Sequence, residues 1–274
     1  MTIIHGMSNA DYHALSSVSS SQLKPMLRSP AHFLASLAKK KEPTANMVLG
    51  SLVHTLYLEP QKFDSEYVVS EKHDRRTTAG KEAAARFEAA AQGKTVITED
   101  QAFAAELMVM ELRKNDADIL IDSGGYVESS IFYTDPETGI DCRIRPDWHM
   151  PPCDEWPNGI ILDLKTTDDA REQAFRRTVE TFGYDLSAAM YSHGFQVHYQ
   201  TENPPVFLFL VVERDEAYGV MCYEADDELL SLGHNKYRRA IALLQECRES
   251  NQYRGYPNSI QKLKPAAWAV KLGE

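Results

Sequence analysis

The sequence predicts an α/β protein, with a central mixed β-sheet flanked by helices and an N-terminal helical extension ahead of it. Three observations lead there. Strand-length runs follow one another directly between residues 125 and 166 and return at 206–224, with helical patterns before, between and after them. That order is helix, meander, helices, strand, strand, helix, not the regular alternation of a doubly wound nucleotide fold. Gly159-Ile160-Ile161-Leu162-Asp163-Leu164-Lys165-Thr166 is apolar through most of its length, as a short buried strand is. Asp135-Pro136-Glu137-Thr138-Gly139 has the composition of a turn joining two neighbouring strands.

The elements follow in order. Ser19-Ser20-Ser21 offers N-cap hydroxyls for a helix over 22–28, and Ser29-Pro30 restarts a helix through 31–35, with proline tolerated in the first turn. Residues 46–59 form the most apolar helix, which Pro60 ends. A strand is expected at 66–70, a polar loop at 71–80, and alanine- and glutamate-rich helices at 78–92 and 99–115. Residues 125–134 read as one strand carrying Glu128, and 140–149 as its return. Met150 to Asn158 is a loop with prolines, and 159–166 is the next strand. Helices at 169–182 and 184–198 precede strands at 206–213 and 217–224, and a long helix runs over 226–249. This divides the chain into an N-terminal helical extension (1–45), a core (46–250) and an irregular tail (251–274) carrying Lys262, Lys264 and Lys271.

At 274 residues the chain is ample for a real hydrophobic core. It has no run of about 18 apolar residues, so no membrane partner is expected. Its N-terminus lacks the basic start and apolar stretch of a signal peptide, so a cytoplasmic location is expected. Cysteines 142, 153, 222 and 247 show no C-x-x-C spacing, which argues against a zinc ribbon or a disulfide framework; Cys142 and Cys222 read as core residues. A net charge of -11 argues against passive coating of DNA but not against an enzyme that grips it locally, since a bound cation reverses the local sign. Positive charge clusters at Lys39-Lys40-Lys41 and at Arg75-Arg76, followed by Lys81 and Arg86. The lysine triplet fits a solvated face; the loop holding Arg75 and Arg76 is a candidate for holding substrate.

The chemistry centres on Asp163 and Lys165. Two residues apart on a strand, they project from one side, and burying both charges is costly unless each finds a partner. A metal ion and a phosphate would supply those partners. Sixteen residues upstream, Asp147 closes Cys142-Arg143-Ile144-Arg145-Pro146-Asp147. An acid, a spacer and Asp-x-Lys is the layout of a metal-dependent phosphodiesterase. Asp141, Arg143, Arg145 and Asp147 share one parity, with Asp141 exposed and the arginines free to pair with acids or touch phosphate. Magnesium prefers oxygen ligands, for which Asp147, Asp163 and the Leu164 carbonyl would serve, and manganese also accepts a histidine. Lys165 would orient the attacking water or stabilise developing charge. Glu128 fits either an exposed strand acid or a holder of water at the metal. His54, one turn after Gly50, fits a hydrogen-bonded core position as well as a ligand; the glycine would allow close approach to it. Tyr184, Ser187 and Tyr191 share a helical face whose hydroxyls suit a DNA backbone, or simply the half-buried side of an amphipathic helix. A phosphate loop fails because Arg75 stands where it needs glycine, and neither H-E-x-x-H nor G-x-S-x-G occurs.

Gly50-x-x-x-His54, Glu128, Asp147, Asp163-x-Lys165 and the tyrosine-bearing helix resemble the PD-(D/E)XK nucleases of the RecB-like branch, whose core is restriction-endonuclease-like. The closer likeness is to the RecE-type exonuclease VIII group of phage and prophage recombination enzymes. Ser19-Ser20-Ser21-Gln22-Leu23-Lys24, Arg28-Ser29-Pro30 and Gly50-Ser51-Leu52-Val53-His54-Thr55 look like that group's N-terminal half. The resemblance implies a Mg2+-dependent 5′-to-3′ exonuclease acting on double-stranded DNA ends. It would leave 3′ overhangs for an annealing protein of the RecT type, and a homo-oligomeric ring would give processivity without ATP. It further implies His54, Asp147 and Asp163 as metal ligands and Lys165 as the catalytic lysine. Ser187 departs from the family, which often has glutamine four residues before the tyrosine.

Overall fold

The computed structural model describes residues 2–38, 42–71 and 76–265. It begins with β1 (Thr2–Ile4), α1 (Asn9–Ala14), α2 (Ser20–Leu23), a 3-10 turn (Lys24–Leu27) and α3 (Pro30–Ala38). Then come α4 (Ala45–Leu58), α5 (Phe63–Glu66), β2 (Tyr67–Val69), α6 (Thr78–Ala91), β3 (Thr95–Ile97), α7 (Glu99–Leu112) and α8 (Ala117–Asp122). The meander is β4 (Tyr126–Val127), β5 (Ser130–Thr134), β6 (Asp141–Ile144), β7 (Trp148–Met150) and β8 (Ile160–Thr167). The chain closes with α9 (Glu172–Phe182), α10 (Tyr184–Tyr199), β9 (Val206–Glu213), β10 (Val220–Glu224) and α11 (Asp227–Ser250).

The main sheet is mixed, as expected, in the order β10-β9-β8-β7-β4; β8 and β9 run parallel and the other pairs antiparallel. Alternation along β8 sends Ile160, Leu162 and Leu164 into a core with Leu52, Val53 and Tyr57 of α4 and Met108 of α7. Ile161 faces the other way, into a core built from α9, α10 and α11 with Phe175, Leu186, Met190 and Tyr237. The helices α10 and α11 approach closely: a Cβ on Gly233 would lie 2.0 Å from the Asp185 carbonyl oxygen.

Four expectations change. Residues 1–45 are not helical throughout, because β1 pairs antiparallel with β5, and Val18, Leu23, Met26 and Phe33 enter the main core. The short strand β3 pairs parallel with β2 in a segment read as a helix connection. The strands expected at 125–134 and 140–149 are each broken in two: β5 and β6 join β1 in a three-stranded sheet, whereas β4 and β7 belong to the main sheet. Asp141, Arg143, Arg145 and Asp147 therefore do not line one continuous strand. Arg143 and Arg145 are buried, and their hydrogen bonds among the described residues go to backbone carbonyls and uncharged side chains. Arg143 donates to the Leu15 carbonyl and Ser17, and Arg145 to Ser130, Asn9 and the Met7 carbonyl, with Tyr12 beneath both guanidinium groups. They tie down the N-terminal segment. Asp141 is exposed, as expected. Arg75, Lys39-Lys40-Lys41 and Lys271 lie outside the described residues.

Candidate active site

The break in the meander builds the site. The Glu128 amide donates to the Asp147 carbonyl at 3.0 Å, so both acids sit at the level where the hairpin passes from one sheet to the other. Glu128 has a φ of 48°, in the left-handed region that a non-glycine residue occupies at a cost of roughly 1–2 kcal/mol. Asp147 is fixed from the other side: its Oδ2 accepts the Leu164 amide of β8 at 2.7 Å.

The apolar helix α4 supplies His54. Thr44 caps this helix by accepting the Met47 amide. Gly50 meets β8 rather than leaving room beside His54, since a Cβ there would lie 3.2 Å from Thr166 Oγ1. Close packing of α4 on β8 brings His54 Nδ1 to 3.6 Å from Asp147 Oδ2. Donor atoms of His54, Glu128 and Asp147 all lie within 4.8 Å of one another, and among the described residues this is the group able to hold a metal ion. The expected set, His54, Asp147, Asp163 and the Leu164 carbonyl, shares His54 and Asp147 with this group. Glu128 stands inside the group; Asp163 pairs with Lys165 beside it and shares the parity of Ile161.

Asp163 is 5% exposed, and its ion pair with Lys165 lies under the α10 helix. Burial alone would lower the Lys165 ammonium, but Asp163 and Asp147 outweigh it and hold the group above its ordinary value. Lys165 Nζ also donates to the Leu164 carbonyl at 3.1 Å, so that oxygen is already engaged. The Tyr184 ring lies 5.2 Å from Lys165 Nζ. Tyr191 is half-buried; burial first, then the charges of Tyr12, Asp163, Asp147 and Glu128, push its hydroxyl well above the ordinary range, so it stays neutral. Ser187 donates to Ser20 Oγ at 3.1 Å, binding α2 to α10. Arg76 is exposed in the turn before α6.

A cleft of about 420 Å³ opens beside the acids, lined by Ser8, Asn9, His54, Lys62, Glu128 and Arg145 among others. The wall from the N-terminal segment was not foreseen; Arg145 was visible in the sequence, but its partners are 136 and 138 positions away. The donors fit a divalent cation. Two carboxylates held this close in a partly dry cleft repel each other: burial first, then Asp147, push Glu128 up to about 8. A shared cation relieves that repulsion, and two hard oxygens with one imidazole suit magnesium or manganese.

No curated protein matches the chain. Among solved structures, the "Putative exonuclease" of Eubacterium rectale superposes with a TM-score of 0.59 at 12% identity, covering 99% of this chain and 100% of that one. The structure of SSO0001, also 12% identical, covers 70% of this chain and 85% of that one with a TM-score of 0.31, too low to bear on the fold. Residues 19–264 match the family described as a PDDEXK-like domain of unknown function, DUF3799. The mixed sheet with helices on both faces is a restriction-endonuclease-like core. With acids from the broken meander set beside the Asp163-x-Lys165 strand and the match spanning most of its length, the chain belongs to the PDDEXK-like family DUF3799.

Proposed function

We propose that this protein is a metal-dependent nuclease of the RecE type, a 5′-to-3′ exonuclease that degrades linear double-stranded DNA and leaves 3′ single-stranded overhangs. The observation that carries the reading is the convergence of His54, Glu128 and Asp147 beside the buried Asp163–Lys165 pair. Exonucleolytic action draws support from the full-length likeness to a protein named as an exonuclease, and polarity from the motif resemblance. A single-strand annealing protein of the RecT type is the proposed consumer of the overhangs, and a homo-oligomeric ring is the proposed means of staying on DNA without ATP.

His54, Glu128 and Asp147 would hold Mg2+, with Mn2+ as a substitute, and Asp163 would complete the acidic wall next to them. The cation, when bound, supplies positive charge against the scissile phosphate and acidifies water. Lys165, kept protonated by its acidic neighbours, is unsuited to accept a proton; it orients the nucleophilic water by donating to it and stabilises charge developing on the phosphate. Tyr184 holds the lysine chain in place through its ring face, and the neutral Tyr191 hydroxyl is available to donate to a phosphate oxygen. Arg76, with Arg75 beside it in sequence, would grip the backbone outside the cleft.

Incubation of linear and covalently closed circular duplexes with Mg2+ tests this. Loss of the linear form alone, with a 5′ label released before a 3′ label, is the expected result. Cutting of the circle would replace the exonuclease with an endonuclease on the same core, and binding without cleavage would leave a DNA-end scaffold.

A further inference from the structure

Lys24 has no part in the chemistry described so far, yet the fold carries it to the same place. It follows α2, whose Leu23 is fully buried, and its own amide is capped by the Ser20 carbonyl, so its backbone is fixed. Its side chain crosses Gly183, the left-handed residue (φ 62°) between α9 and α10, where a Cβ would lie 3.5 Å from the lysine stem. The ammonium ends 5.3 Å from the centroid of the Tyr184 ring, the same ring that lies 5.2 Å from Lys165 Nζ. The acids nearby are committed elsewhere, Asp163 to Lys165 and Asp185 to Lys236. Burial, then repulsion from Lys165, lowers the Lys24 ammonium to about 8. A second cation held beside a buried ion pair, with an aromatic face as its neighbour, is poised for an anion brought by the substrate.

We propose that Lys24 binds DNA directly, taking one backbone phosphate of the bound strand adjacent to the scissile linkage, on the Tyr184 side of the Asp163–Lys165 pair. The assignment rests on the nucleolytic reading of that site and adds a phosphate contact from the N-terminal segment. Lys24 is thus a substrate-binding residue, and the N-terminal segment completes the DNA track as well as the core.

The test is DNA affinity, measured by fluorescence anisotropy with Ca2+ in place of Mg2+, for the full-length protein and its Lys24→Gln, Lys24→Met and Lys24→Arg variants; methionine keeps the apolar stem against Gly183. The glutamine and methionine variants should lose affinity on the order of tenfold and reduce the slope of log affinity against log salt by about 0.9, the signature of one lost phosphate contact. Lys24→Arg should retain both. In duplexes carrying a single neutral methylphosphonate, one linkage near the end should weaken the wild type by a similar factor and leave Lys24→Gln indifferent. A Lys24 that merely supported Tyr184 would lower affinity without changing the slope. An unchanged slope together with wild-type sensitivity at every linkage would remove Lys24 from the DNA track. A wild-type protein that bound no DNA would overturn the nuclease reading itself.

Discussion

Glu128 and Asp147 repel each other across a cleft that neither can leave. One is held by a left-handed turn, the other by the Leu164 amide. On the proposed reading, function and stability pull in opposite directions at this pair. Glu128→Gln keeps the shape and removes the cost of holding a carboxyl group, buried beside Asp147, in its protonated form at neutral pH, so it should raise the apo protein's thermal midpoint while lowering Mg2+-dependent cleavage on the order of 100-fold or more. Calorimetry and initial rates on a linear duplex check both halves; a lowered midpoint with undiminished rate would contradict the assignment. Asp163→Ala should abolish cleavage, and it should also lower the thermal midpoint, since it leaves the Lys165 ammonium in its largely buried place without a partner. Both acids, the lysine and His54 were legible as residues, because an acid or base inside an apolar run needs a reason. Their placement relative to one another was not. Which carboxylate faces His54 depends on strand parity and on a break in the hairpin; Pro146 marks the break between β6 and β7, but the matching break between β4 and β5, at Glu128-Ser129, carries neither glycine nor proline.

The elements that aim these side chains do so through close approach. The helices α10 and α11 cross where Gly233 faces the Asp185 carbonyl, so Gly233→Ala must push backbone against backbone and should cost about 1–3 kcal/mol. Chemical denaturation measures it, and a neutral effect would mean that the crossing is looser than the geometry implies. On the opposite face, Gly50→Val should lower both the thermal midpoint and the cleavage rate, because a larger side chain against Thr166 shifts α4 and carries His54 from Asp147. Unchanged activity would detach the position of His54 from the packing of α4. Most helices here were legible from apolar spacing, caps and prolines; Pro60 and the Thr44 cap bound α4 near the expected places. The strands were harder. Three-residue segments such as β1 and β3 carry too few residues to display an alternation, and their partners lie far off in sequence.

At the scale of the whole molecule, buried polar contacts join the small sheet to the helical layer. Asp135, in the β5–β6 turn, is fully buried and accepts hydrogen bonds from Tyr237 and Arg238 of α11. Burial would raise its carboxyl, but those bonds, with Thr138, outweigh it and bring it down to about 2. A folded-state value below the unfolded one, about 3.9, stabilises the protein above that pH and stops doing so as pH falls toward 2. The difference in thermal midpoint between wild type and Asp135→Asn should therefore shrink between about pH 4 and pH 2; a constant difference would contradict the linkage. The negative net charge left DNA binding open in the sequence; on the proposed reading, the local placement of Lys165, Lys24 and the cation site supplies the grip. The central claim is that His54, Glu128 and Asp147 converge on one divalent cation, and a crystal soaked in Mn2+ tests it most directly through the anomalous signal of the metal. The account predicts a peak within coordination distance of all three side chains; a peak that Glu128 and His54 do not touch, or no peak at the cleft, would contradict it.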